Sequence, residues 1–152
     1  MKILLLLPSV ILPLYAIIVS IRFGIQTDFS HTWHVIRHKW LFTLVLWLSL
    51  IPIIIVANTW LMFLAASFLC VVGAAPDFFN PFERKVHVTA AFSGLVLMML
   101  SLAIDFHLSI PVLAYFIVAF MLERKILKIK YHTLWVEIIP FIITLVVLWI
   151  YA

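Results

Sequence analysis

Long apolar runs, broken at short intervals by small clusters of charge, extend through this chain of 152 residues. Six stretches, 3–21, 40–56, 60–75, 86–104, 108–122 and 134–151, contain no Lys, Arg or Asp, and Glu137 is their only carboxylate. A helix needs about 20 apolar residues, commonly about 17 to 25, to cross a hydrocarbon layer about 30 Å thick. The pattern predicts an all-α fold: a polytopic transmembrane helical bundle of six spans, forming a single domain over 1–152. Residues 41–76 carry no charge and are too many for one crossing, so Asn58 and Thr59 near their middle mark a tight helical hairpin. The fifth stretch is short, and the stems of Arg124, Lys125, Lys128 and Lys130 beyond it are expected to snorkel back to the headgroups.

Composition strengthens this picture. Hydrophobic residues make up 67% of the chain and charged ones 11%, and the mean hydropathy of +1.29 lies far outside the range of a water-soluble domain. Lys and Arg of short loops are retained in the cytoplasm. With six spans one side receives Arg22, Arg37, Lys39, Arg84, Lys85, Arg124, Lys125, Lys128 and Lys130, and the other only Lys2. Both termini are therefore expected outside, in a multi-pass protein of a bacterial inner membrane. Trp40, Tyr131 and Trp135 would sit at the inner boundary and Trp60, Trp149 and Tyr151 at the outer one, as an aromatic belt requires. The first stretch is long for the core of a signal peptide and no small-x-small cleavage pattern follows it, so it is expected to remain as a span.

Charge and cysteine content narrow the chemistry further. A pI near 9.5 raises the question of nucleic acid, but the basic residues are scattered over three loops and topology already explains them, so no nucleic-acid partner is expected. The bilayer is the expected partner, with a second copy or another membrane protein as a further one. The single Cys70 lies inside a span, which leaves neither a disulfide framework nor a thiolate metal cluster. No glycine-rich phosphate loop, GxSxG elbow or HExxH pair occurs.

Three features carry candidate chemistry. In the first loop, Asp28 and Ser30 offer helix caps, and no Pro or Gly follows before the second span, so a helix is expected from near residue 31. On it His31, His34 and His38, at i, i+3 and i+7, share one face. With Asp28 they would make a candidate zinc set; the alternative is an interfacial turn in which His tolerates the headgroup region. In the fourth span, His87, Ala91, Gly94, Ser101 and Asp105 form one small and polar stripe. It is either a packing seam or a narrow polar cavity. In the sixth span, Glu137 is expected to face the bundle interior, with His87 as the most economical partner and Arg84 or Lys85 as the alternative.

The segment around the third and fourth spans, in particular Gly73, His87, Ala90 and Ala91, resembles the Frag1/DRAM and DUF998-type six-span membrane families, where a glycine-bearing third helix end is followed by a loop and an H-x-x-[GA]-A helix start. The chain is also similar to uncharacterised small membrane proteins of Bacteroidetes and their phages; neither resemblance implies an activity. His87, Ser93 and Asp105 resemble the Ser, His and Asp elements of the CREST metal-dependent membrane hydrolases. That group has seven spans and an HxxxH in its last helix, and here Asp105 lies about 27 Å along the helix from His87. The sequence thus supports a small integral membrane protein with a structural, interaction or small-solute role, the alternative being a cytoplasm-facing metal-dependent lipid hydrolase with zinc as its cofactor.

Overall fold

A computed structural model describes residues 2–76, 79–123 and 131–151. The described residues form seven helices: α1 (Lys2–Phe23), α2 (Thr32–Val35), α3 (Trp40–Ala57), α4 (Trp60–Ala74), α5 (Pro81–Ile104), α6 (Ser109–Glu123) and α7 (His132–Tyr151). Helices α1, α3, α5 and α7 are long and apolar enough to cross a membrane, whereas α4 and α6 have 15 residues each, about 22 Å at 1.5 Å per residue. The basic run at 124–130, together with Asp77 and Phe78, lies outside the described residues.

The helix ends follow from local chemistry. Asn58 ends α3 in the left-handed conformation, with φ of 48°, and the Thr59 hydroxyl accepts the Met62 N–H at 3.3 Å to start α4. The hairpin expected at these two residues is thereby formed from a permissive C-cap and a side-chain N-cap. Asn80 accepts from the N–H groups of Phe82 and Glu83, and Pro81 opens α5 where its missing N–H costs no bond.

The most extensive packing is between α4 and α5, followed by α3 against α1 and α3 against α4, while α7 touches α1, α3, α5 and α6. Helices α1, α3, α4, α5 and α7 therefore close a ring, with α6 against α5 and α7. Phe42, Leu50 and Ile53 of α3, Met62 and Ala65 of α4, and Met98 and Leu102 of α5 are fully buried within it. The α4–α5 seam depends on Gly94: a Cβ there would meet Leu69 Cγ at 2.7 Å and the Ala65 carbonyl oxygen at 3.1 Å. Backbone approach this close is what small residues permit between helices in lipid.

One expectation is corrected. No continuous helix runs from residue 31 into the second span, because α2 stops after four residues and Ile36 is extended, with φ of −78° and ψ of 145°. Lys39 Nζ folds back to donate to the carbonyls of Trp33 (2.6 Å) and His34 (2.9 Å), over the Trp33 ring. It satisfies the carbonyls that a longer helix would have used, and buried Ile36 anchors the break.

Pro140 inside α7 has no N–H for the carbonyl of Val136 one turn earlier. Tyr115 of α6 fills that role, its hydroxyl donating to the Val136 oxygen at 2.8 Å. Interhelical hydrogen bonds in membranes contribute about 0.6 kcal/mol on average and up to about 1.7. Tyr115→Phe should therefore cost about 1 kcal/mol in mixed-micelle unfolding, and the loss should nearly vanish in a Pro140→Ala background, where a backbone N–H replaces the hydroxyl. Equal losses in both backgrounds would contradict this role.

Candidate functional site

Two clusters of polar side chains mark the two ends of the bundle. At the end holding the α3–α4 hairpin, Ser101 Oγ donates to Asp105 Oδ2 at 2.7 Å, which leaves the Thr59 hydroxyl to donate to Ser101 at 3.2 Å. Three hydroxyl and carboxyl groups thus close this end, with Ser101 fully buried. Between the ends, Gly94 of the small and polar stripe is filled against by Leu69 and Ala65 of α4. The stripe is occupied by a neighbouring helix along its middle.

At the opposite end, loop residues 27–32 turn into the bundle and are held from three helices. His87 of α5, only 2% exposed, contacts the carbonyl oxygen of Ala75 through Nδ1 at 2.8 Å and the hydroxyl of Ser30 through Nε2 at 2.9 Å. The carbonyl can only accept, so Nδ1 carries a proton, and a neutral ring then accepts the Ser30 hydroxyl at Nε2. Glu137 Oε2 of α7 accepts the N–H of Phe29 at 2.7 Å. Tyr15 of α1 shares a 2.8 Å hydrogen bond with Thr32, and the Leu134 N–H donates to the Thr27 carbonyl at 3.1 Å.

The described hydrogen bonds of His87 go to Ala75 and Ser30 and not to Glu137, the partner expected from the sequence. Both ring nitrogens of His87 are engaged elsewhere, and the two helices are joined through adjacent loop residues, Phe29 bound to Glu137 and Ser30 bound to His87. Asp28 does not cap α2, whose N-cap position is His31 with no side-chain bond; the Asp28 Oδ1 accepts the His31 N–H at 2.6 Å in the turn before the helix. Ser30 does not cap; at 5% exposure it is turned inward. Sequence reasoning missed Ser30 and Tyr15 as members of this cluster, and no spacing signals a partner 57 residues away.

Beneath the loop lies a cavity of about 50 Å³. Leu12 of α1, Leu46 of α3, Leu69 and Val72 of α4, Leu95 of α5 and Phe141 of α7 form most of its wall. Phe29 and Ser30 roof it, and among the described residues Glu137 is the one ionisable group in its lining. A single water needs about 10 to 15 Å³ measured in this way, so the space takes a few waters or a short alkyl group.

The candidate zinc set is not assembled. His31 and His34 stand with ring centroids 5.5 Å apart, but His38 lies past the break at Ile36 and is exposed. Among the described residues no three His, Cys, Asp or Glu side chains are placed to hold one metal ion. His87 and Asp105 lie at opposite ends of α5, as the helix length requires.

Comparisons with family models, with curated proteins and with solved structures return no match. The residues that carry the family resemblance have packing and bonding roles here. Gly73 approaches Trp47, where a Cβ would come within 3.1 Å of Nε1, Ala90 is buried, and His87 closes the end of α4 through Ala75.

The Phe29 amide reports directly on the loop. Leaving a buried N–H without its acceptor costs about 1 to 3 kcal/mol, so Glu137→Ala should speed its hydrogen exchange roughly fivefold to a hundredfold. Glu137→Gln, which retains an acceptor oxygen, should change it much less. Unaltered exchange in Glu137→Ala would show that the loop is held without this bond.

Proposed function

We propose that this protein is a six-span protein of a bacterial inner membrane with a small-solute role, binding an apolar or amphiphilic molecule beneath the loop at its cytoplasmic end. The cavity carries this reading. It draws its apolar wall from five helices, yet admits Glu137 and Ser30. Small-molecule sites commonly combine an apolar lining with a few placed polar groups, and ionisable residues within spans usually face a partner or a cavity. Roofed by Phe29 and Ser30, the cavity would be separated from the inner aqueous side and reached from the bilayer.

Six spans require α4 and α6 to cross despite their 15 residues. Local thinning of the bilayer and snorkelling flanks make such lengths workable, and the basic loops stay on one side only when α4 crosses back after α3 and α6 after α5. Reporter fusions at the C-terminus and after Lys130 should report opposite sides of the membrane, with the C-terminus outside. A cytoplasmic C-terminus would overturn the topology.

A diazirine-bearing n-alkanol tests the cavity. It should label Leu95 or Phe141 in the protein, and Ala91→Phe, which fills the cavity from α5, should abolish that labelling. Phe92, 71% exposed on the same helix, should be labelled from the bilayer in both. Cavity labelling that survives Ala91→Phe would refute the binding site.

A further inference from the structure

On the outer side of the same loop lies a second pocket, of about 250 Å³, lined by Asp28, His31, His34, Phe79 and Arg84. It opens at the end of the bundle where Arg37, Lys39 and Lys85 are exposed. Its walls hold opposite charges on different elements: Asp28 belongs to the loop and Arg84 to the first turn of α5. Among the described residues these two form no ion pair with each other. The Asp28 carboxylate is held in place by the His31 N–H at 2.6 Å and the Thr27 hydroxyl at 2.8 Å. Each of its oxygens keeps a further lone pair for an incoming donor. Lys39 is committed to the carbonyls of Trp33 and His34.

A plain anion entering this pocket would meet Asp28 as a like charge, and a plain cation would meet Arg84. A molecule carrying both signs meets neither penalty. We infer that this pocket binds a zwitterion of the phosphoethanolamine type, a phosphate ester joined to a primary ammonium by a short linker, either as a lipid headgroup or as a free compound. The Arg84 guanidinium takes the phosphate through paired N–H bonds, with the imidazoles of His31 and His34 as further donors. The ammonium lies against Asp28, and the Phe79 ring offers it a cation-binding face. Replacing the ammonium by a trimethylammonium removes its N–H donors and weakens the contact with Asp28. Replacing it by a glycerol hydroxyl removes the charge altogether. The pocket does not depend on the cavity beneath the loop, and its test reads different residues.

The experiment offers the detergent-purified protein equal amounts of phosphatidylethanolamine, phosphatidylcholine and phosphatidylglycerol and measures retained lipid by native mass spectrometry. Soluble O-phosphoethanolamine is titrated in parallel. The protein should retain the ethanolamine lipid above the other two. Arg84→Gln should weaken that retention about fivefold or more, the upper range for an exposed charge contact. Asp28→Asn keeps an oxygen for the His31 N–H, and so preserves the loop while removing the charge. It should bring ethanolamine and glycerol lipids close to parity. Unchanged melting of both variants confirms that they are folded. Lipid retention with this pattern assigns the site to a headgroup, and Arg84-dependent binding of soluble O-phosphoethanolamine without lipid discrimination assigns it to a free compound. Equal retention of all three lipids without binding of the soluble compound, or binding indifferent to Arg84→Gln, overturns the inference.

Discussion

The structure depends on one constraint: a backbone polar group buried among lipid-facing helices must find its partner inside the protein, because no water is there to supply one. Most are satisfied within helices, and the positions where that fails carry the informative side chains. The carbonyl of Val136, deprived of a helical donor by Pro140, takes the Tyr115 hydroxyl. Toward the end of α4, the carbonyls of Cys70, Gly73 and Ala75 take Trp47, Thr43 and His87 respectively. At the end of α2, Lys39 serves Trp33 and His34. The polar residues of this apolar chain are largely spent on helix ends and interruptions.

The same constraint explains why the loop at 27–32 is part of the bundle. A segment with little regular structure exposes N–H and C=O groups that it cannot pair by itself. Glu137 accepts one amide, Leu134 donates to one carbonyl, and His87 and Tyr15 hold the hydroxyls of Ser30 and Thr32. Helices α1, α5 and α7 thereby converge on one stretch of six residues. This creates two faces of different character, an apolar hollow below and a pocket with both charges above.

Intramembrane acids commonly suggest a mobile proton or a bound cation. Here the geometry gives Glu137 a positioning role as well, since its bond to Phe29 fixes the residue beside Ser30. His87 acts similarly, joining the α4 terminus to the loop across two bonds. A histidine and a glutamate that looked like one ion pair therefore act as two separate anchors of one strap.

The sequence determined the helical architecture and its punctuation. Apolar runs of this length have few alternatives to helix in lipid, and Asn58 and Thr59 act through neighbours within three residues, so the hairpin was legible; the start of α5 at Pro81, ahead of the expected span at 86–104, was not read from Asn80 and Pro81. The inward face of the α5 stripe was also legible, because a Gly and small polar residues gain nothing from lipid and gain contact from a neighbouring helix. Tertiary structure alone decided the site. The break at Ile36, which parts His38 from His31 and His34, depends on Lys39 reaching back over Trp33. The pairing of His87 with Ser30 and of Glu137 with Phe29 spans 57 and 108 residues. Such partners are set by the rotation and order of helices around a closed ring, and a local pattern of apolar and polar positions leaves that rotation free.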